Sequence, residues 1–245
     1  MAKTSGTTGN VLTPALRFEG IKARIERACA ASGRDPAGVE ILAVTKYASV
    51  ESVAALLSGG QARLVGESRV QDALSRWQAP LLLPYKDKIE RHFIGHLQSN
   101  KAGKAAAFFD CFDSIDGIRM AETLNAKAAE AVRKFPVMLQ VKLTDKETQS
   151  GLSLEEAPAL LQQMAKLPNL IPYGYMGIAP VAADQNELRP LFAKVRARFE
   201  KDFPGETGGV KTRLSLGMTG DFEAAVMEGS TLVRIGSALF SGEQS

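Results

Sequence analysis

Apolar positions in this chain switch between two periods, and the switches mark out its elements. Phe18, Ile21, Ile25 and Ala28 recur at 3/4 spacing and predict an amphipathic helix, after which the apolar run 39–45 predicts a buried strand. Val50, Val53, Ala54 and Leu57 predict a second helix, with Ser49 as its N-cap and Gly59-Gly60 ending it. The same cycle then repeats. Short strands are expected at 63–65, 92–94 and 111–114. They are followed in turn by a helix carrying Val70, Leu74 and Trp77, one over 100–108, and a long one over about 116–134. The clearest strand is 137–141. Beyond it Ser153 and Glu156 have the spacing of a capping box, opening a helix whose buried face is Leu161, Met164 and Leu167. A strand at 170–175 precedes a helix marked by Leu188, Leu191, Phe192, Val195 and Phe199. The chain closes with strands at 213–216 and 232–235 around a helix near 221–228, and an apolar end at Ala238-Leu239-Phe240. About eight β-to-α steps of roughly 25 residues, joined by right-handed crossovers, close more naturally into a single (β/α)8 TIM-type barrel than into an open doubly wound sheet. The fold class is therefore α/β, with an extra N-terminal helix before the first strand.

Length and composition fit that picture. The chain has 245 residues, 45% hydrophobic and 23% charged, enough for one barrel domain with a substantial core. Its net charge is +3, from 30 basic and 27 acidic residues dispersed along the sequence, so no basic block asks for nucleic acid. No window approaches the ~18 uninterrupted apolar residues of a membrane span. The opening residues are polar and rich in Thr and Gly, without the apolar stretch of a signal peptide. Residues 1–12 are thus expected to be a disordered lead, 13–241 the barrel, and 242–245 a short tail. Cys29 and Cys111 are isolated in sequence and read as buried residues in a reducing compartment, with the cytoplasm the expected location. No apolar stripe beyond the barrel helices demands a partner, so a monomer is expected.

In such a barrel, chemistry sits where strands end and loops begin. Lys46 follows the first strand, an expensive place for an ammonium unless it pairs with a carboxylate, snorkels to the rim, or is neutralised as an imine with an aldehyde ligand. The loops after the last two strands carry Ser215-Leu216-Gly217-Met218-Thr219-Gly220-Asp221 and Gly236-Ser237. Loops after strands seven and eight of barrels often bind phosphate through backbone N–H groups that glycine leaves open, together with helix N-termini. Ser215, Thr219 and Ser237 would add side-chain donors. Arg234, on the last strand among apolar neighbours, must meet an anionic ligand, a ring nitrogen or a structural carboxylate. His92 and His96 flank a strand end rather than sharing a helical face and have no third ligand motif, so no metal site is expected. In Gln98-Ser99-Asn100-Lys101, Asn100 suits helix capping.

Five blocks go further than spacing does: Ala43-Val44-Thr45-Lys46, Val65-Gly66-Glu67, His92-Phe93-Ile94-Gly95-His96-Leu97-Gln98-Ser99-Asn100-Lys101, Leu214-Ser215-Leu216-Gly217-Met218, and Gly229 through Gly236. In this order they resemble the motifs of the pyridoxal phosphate homeostasis proteins, over about residues 15–240. The resemblance implies a barrel like the N-terminal domain of alanine racemases, holding pyridoxal 5′-phosphate as an aldimine on Lys46. It implies a phosphate cup from Ser215, Gly217, Met218 and Thr219, closed by Gly236 and Ser237, and it places Arg234 on the side of the pyridine nitrogen. Partners implied are the cofactor itself and apo-enzymes that receive it.

Some positions depart from the family pattern. Ser68-Arg69 stands where Asn-Tyr usually follows Gly-Glu, which weakens a polar contact to the cofactor. Gln149 replaces a frequent basic residue, Tyr175 a common leucine, and Ser241 a glycine. Three functions compete: a cofactor carrier working in intracellular pyridoxal phosphate homeostasis, a racemase-like enzyme, and a phosphate-binding barrel enzyme without pyridoxal phosphate. A racemase would need acid/base groups on both faces of its substrate. The chain ends at Ser245, leaving no residues for the β-rich second domain of alanine racemases, so the carrier is the expected function and a dedicated catalytic activity is not expected.

Overall fold

The computed structural model describes residues 12–144, 150–180 and 184–240. The expected disordered lead up to residue 11, Gln149, Ser241 and the tail lie outside the described residues. Eight parallel strands follow one another around a closed barrel: β1 (Glu40–Val44), β2 (Leu64–Glu67), β3 (Glu90–Phe93), β4 (Cys111–Ile115), β5 (Phe135–Lys142), β6 (Leu170–Ile178), β7 (Arg213–Ser215) and β8 (Leu232–Ile235). Closure comes from β8 pairing with β1, Ile235 opposite Ala43 and Arg234 opposite Leu42. The first and last strands are thereby neighbours, although nearly the whole sequence separates them.

An N-terminal helix, α1 (Pro14–Ala31), precedes the barrel, as the 3/4 pattern requires. Thr13 caps it, its Oγ1 accepting from Leu16 N at 3.3 Å, with Pro14 at the first helical position where no N–H is needed. The helices between strands are α2 (Val50–Ser58), α3 (Val70–Arg76), α4 (Ala102–Phe108), α5 (Ile118–Glu130), α6 (Ala157–Met164), α7 (Gln185–Asp202) and α8 (Phe222–Met227), and α9 (Ser237–Phe240) follows β8. Ser49 caps α2 as expected, accepting from Ser52 N at 3.2 Å. No helix among the described residues is long and apolar enough to cross a membrane.

Two expectations about helices are corrected. The long helix α5 stops at Glu130 rather than near residue 134, because Val132 adopts φ +50°. Arg133 N then donates to Ala128 O and Val132 N to Ala129 O, the paired bonds that close a helix through a left-handed residue. A valine gives no sequence signal for that turn. The capping box forms, with reciprocal Ser153–Glu156 bonds of 2.9 and 3.2 Å, but α6 proper begins only at Ala157, with Glu156 as its N-cap residue. Its buried residues are Ala157, Leu160 and Met164, while Leu161 and Leu167 are only half-buried.

Most of the core lies between the strands and the helical ring, while Leu42, Leu64, Met138, Tyr173, Met176 and Leu232 fill the barrel itself. At the end where the strands begin, the interior is polar. Arg213 donates to Glu40 at 2.8 and 3.2 Å and to Glu90 at 2.8 Å. His92 lies between Asp113 Oδ2 and Glu90 Oε1, each at 2.7 Å, and the Tyr173 hydroxyl donates to Asp113 Oδ1 at 2.8 Å. Burial alone would push the imidazole towards neutrality, but the two carboxylates outweigh it and raise its pKa to about 9. Glu90, His92 and Cys111 bring ligand-type atoms within 4.8 Å of one another. Both ring nitrogens and Glu90 Oε1 are already engaged there, by carboxylates and by Arg213. His96 takes no part in this cluster and is exposed on the other side of the strand end.

Candidate functional site

At the opposite end, where the strands finish, Lys46 emerges two residues after β1. Val44 is the last residue of that strand, and Thr45 extends its pairing by donating its N–H to Gly66 O at 3.1 Å. Lys46 is half-buried, and its Nζ stands 5.1 Å from the centroid of the Tyr47 ring. Among the described residues no carboxylate forms an ion pair with it. A cavity of about 550 Å3 opens here, a size suited to a small-molecule site. Lys46, Met218, Thr219, Gly220, Arg234, Gly236 and Ser237 line it together, with Ile94, Met176 and Ile178 as apolar wall.

The two C-terminal loops meet as the sequence pattern suggests. Arg234 N donates to Gly217 O at 3.0 Å, and Ala238 N to Thr219 Oγ1 at 3.4 Å, so the turn after β7 and the turn after β8 brace each other. Gly217 has φ +90°, and a Cβ there would come within 2.7 Å of Phe222 Cα and Ala225 Cβ. Only glycine permits this turn to fold back on α8. The Met218 N–H is directed to Asp221 Oδ1.

Arg234 is 4% exposed and reaches the cavity with its guanidinium held by neutral oxygens only. Nη1 donates to Ser215 O at 2.8 Å and to Ser215 Oγ at 2.9 Å, and Nη2 donates to Gly177 O at 2.8 Å. Burial lowers its pKa to about 10, against the opposing fields of Asp113 and Asp221, so it remains a cation at neutral pH. No carboxylate among the described residues pairs with it, which removes the structural ion-pair alternative. Of the residues singled out from sequence, Lys46, Met218, Thr219, Arg234, Gly236 and Ser237 share the cavity wall. Ser215 and Gly217 stand behind it, and the Ser215 hydroxyl faces Arg234. Ser68, at the departure from the family pattern, is also on the wall, whereas Tyr175 is buried with its hydroxyl bonded to Asp202.

Beneath the Lys46 loop lies a constellation that sequence reasoning missed. Glu67, at the end of β2, is 1% exposed and accepts from Thr45 Oγ1 at 2.7 Å and from Trp77 Nε1 at 3.4 Å. Arg76, the last residue of α3, places Nε 3.4 Å from the same carboxylate oxygen. Its fork reaches the loop backbone, Nη2 donating to Lys46 O at 3.1 Å and Nη1 to Ala48 O. Desolvation raises the Glu67 pKa, with Thr45, Arg76 and Trp77 holding it back. Glu67 was visible as a motif residue, but nothing in the sequence tied Arg76 to Lys46.

An amine and a pair of Gly- and hydroxyl-containing turns lining one cavity suit a ligand that carries both a carbonyl and a phosphate. The donor set, with a buried arginine between them, fits pyridoxal 5′-phosphate. Comparison with known proteins points the same way. Residues 18–244 match the family model described as alanine racemase, N-terminal domain. The chain is 37% identical over 220 residues to the pyridoxal phosphate homeostasis protein of Pseudomonas aeruginosa, covering 90% of this chain and 91% of that one. It is 33% identical over 226 residues to the protein of that name from Escherichia coli K12, covering 90% and 92%. The structure of PipY of Synechococcus elongatus PCC7942 with PLP bound superposes with a TM-score of 0.73 at 32% identity, over 89% of this chain and all of that one. Alanine racemase of Clostridium difficile 630 shares the fold, with a TM-score of 0.67 at 16% identity over 94% of this chain and 57% of its own. Similarity at this level along nine-tenths of the length, together with the closed barrel, leads to one conclusion: the chain belongs to the pyridoxal phosphate homeostasis protein family, built on the alanine racemase N-terminal domain fold.

Proposed function

We propose that this protein binds pyridoxal 5′-phosphate and serves its homeostasis, holding the cofactor at Lys46 until it is released or passed to an apo-enzyme. The observation that carries this reading is that Lys46 and the turns after β7 and β8 line one cavity, although they come from opposite ends of the sequence. The cofactor, when bound, supplies an aldehyde that condenses with a primary amine, with loss of water, into a Schiff base. Lys46 supplies that amine. Thr219, Gly236 and Ser237 take the phosphate, supported by the Gly217–Met218 turn.

Arg234 stands at the ring-nitrogen side, where a fixed cation disfavours protonation of the pyridine and so weakens the ring as an electron sink. Ser215 contributes by fixing Arg234 rather than as a direct phosphate donor. Such a site suits storage and delivery more than turnover. The reading takes the protein to be a monomer in the cytoplasm, consistent with two buried free cysteines, Cys29 and Cys111.

The test is spectroscopic. Wild-type protein titrated with pyridoxal phosphate develops an imine absorption band, and borohydride fixes the cofactor to Lys46. Lys46→Ala loses the band and the covalent adduct. Absence of both signals in the wild type would sink the reading. Stoichiometric transfer to an apo-enzyme, without sustained turnover of amino acids, supports the carrier role; robust turnover of any amino acid would replace it with the racemase-like one.

A further inference from the structure

The loop that presents Lys46 is fastened from below by side chains, not by a continuous ladder. Thr45 ends the backbone pairing to β2, and the next three residues turn sharply, with Ala48 N donating to Thr45 O at 2.9 Å. Within this turn the carbonyls of Lys46 and Ala48 both accept from one guanidinium, that of Arg76. Arg76 is itself set against Glu67, and Glu67 holds Thr45 through its hydroxyl. The residues immediately before, at and two after the lysine are therefore all tied to a single buried pair. Among the described residues, Glu67 Oε2 and Arg76 Nε are the two buried side-chain polar atoms without a hydrogen-bond partner. A protein selecting only for stability has little reason to keep such a pair, since an apolar replacement of similar volume is often neutral or stabilising. Rule-breaking of this kind is expected where geometry matters more than stability.

We propose that Arg76 and Glu67 are positioning residues for Lys46. Arg76 acts through the main-chain carbonyls of Lys46 and Ala48, and Glu67 through Thr45, so that Nζ is held in the cavity that the turns after β7 and β8 also line. The proposal rests on the reading of Lys46 as the attachment point given above. The two donors of one guanidinium serve the carbonyls of Lys46 and Ala48 together; a lysine at position 76 would preserve the charge facing Glu67 without that fixed fork. Neither residue lines the cavity. Their effect should therefore fall on imine formation and spare the non-covalent grip on the phosphate.

The experiment compares two ligands on wild type, Arg76→Lys and Arg76→Gln. One ligand is pyridoxal 5′-phosphate and the other is pyridoxine 5′-phosphate, which has the same ring and phosphate but an alcohol in place of the aldehyde. In both variants the affinity for pyridoxine phosphate stays within about twofold of wild type. Affinity for pyridoxal phosphate, and the share of it that borohydride fixes, falls about tenfold, the scale expected for a small misplacement of a reacting group. Equal losses for both ligands would mean that the pair merely props up the fold, and would overturn the proposal. Full rescue by Arg76→Lys would overturn it too, because it would reduce Arg76 to a counter-charge for Glu67. Thr45→Val releases the Glu67 anchor without touching the fork and gives a smaller loss confined to pyridoxal phosphate. If the Arg76 variants do not fold, an unchanged Thr45→Val protein overturns the proposal. Wild type that forms no borohydride-fixed adduct removes the Lys46 reading itself and this inference with it, a result distinct from an adduct that is unchanged by every variant.

Discussion

At the end of the barrel where the strands begin, Arg213 and His92 are ringed by Glu40, Glu90 and Asp113. At the opposite end, Lys46 and Arg234 form no ion pair with any carboxylate of the described residues. Both regions place cations in or against the same closed sheet, where an unpaired charge is expensive. The lower cluster offsets that cost within the chain, Arg213 of β7 meeting the acids of β1 and β3 and His92 meeting those of β3 and β4. The upper one leaves Lys46 against an aromatic ring and Arg234 on carbonyl and hydroxyl oxygens. A charge satisfied internally builds structure; a charge left with neutral partners is available to a ligand. The same barrel thus separates stability from binding along its axis, as barrel enzymes separate their two faces.

The largest effect expected from this contrast is a pH dependence arising at His92 in the lower cluster. The His92 pKa is raised to about 9 from its ordinary ~6.5. Because the folded value lies above the unfolded one, the stabilisation is fully present below pH ~6.5 and disappears as pH rises through 9. Its ceiling is about 3 kcal/mol. Denaturant unfolding followed from pH 6 to 10 should show that decline, and His92→Gln should flatten it; an equally steep decline in the variant would assign the slope elsewhere.

Substituting the two arginines tests the contrast directly. Arg213→Met leaves Glu40 and Glu90 facing each other and should cost about 2 kcal/mol, less than the ~3–5 of a fully buried pair because both acids keep about a third of their side-chain surface in water. Arg234→Met removes a buried cation but strands no carboxylate, so its stability cost should be nearer 1 kcal/mol, while its affinity for pyridoxal phosphate drops. If Arg234→Met proves the more destabilising of the two, the division between a structural and a binding end fails.

An exposed position outside both charged clusters supplies the smallest effect. Val132 is 92% exposed and holds φ +50°, a conformation costing a β-branched residue about 1 kcal/mol or more. Val132→Gly should therefore gain somewhat under 1 kcal/mol after the glycine's extra unfolded-state entropy is counted, with ligand binding unchanged. A destabilised variant would show that the valine packs in a way its exposure conceals.

Much of this was legible in the sequence because periodicity reports burial directly. The eight strands and the helices between them appear where apolar spacing changes from the helical period to short apolar runs, and Lys46 and the last two turns stand out because they interrupt those runs. The end of α5 was not legible, since helix closure there depends on a backbone angle that valine does not advertise. The buried face of α6 was misjudged because Leu160 and Leu161 are adjacent leucines, and only packing decides that Leu160 turns inward while Leu161 lies at the edge. Arg76 was invisible as a site residue because its partners are the carbonyls of Lys46 and Ala48, and main-chain oxygens carry no signature of residue type.

By itself, then, the sequence determined the order of elements, the barrel, and the two families of residues, one amine and one set of small hydroxyl and glycine turns, that a carbonyl-and-phosphate ligand needs. Closure of β8 onto β1 decided that these meet, because only the completed ring makes neighbours of strands at opposite ends of the chain. Tertiary packing also decided finer assignments: that the Ser215 hydroxyl turns to Arg234, that Arg234 finds neutral acceptors, and that Arg76 grips the loop carrying Lys46. The physical reason is common to all three. Hydrogen bonds form between groups brought within about 3 Å, and such distances between remote parts of a chain exist only once the fold has set them.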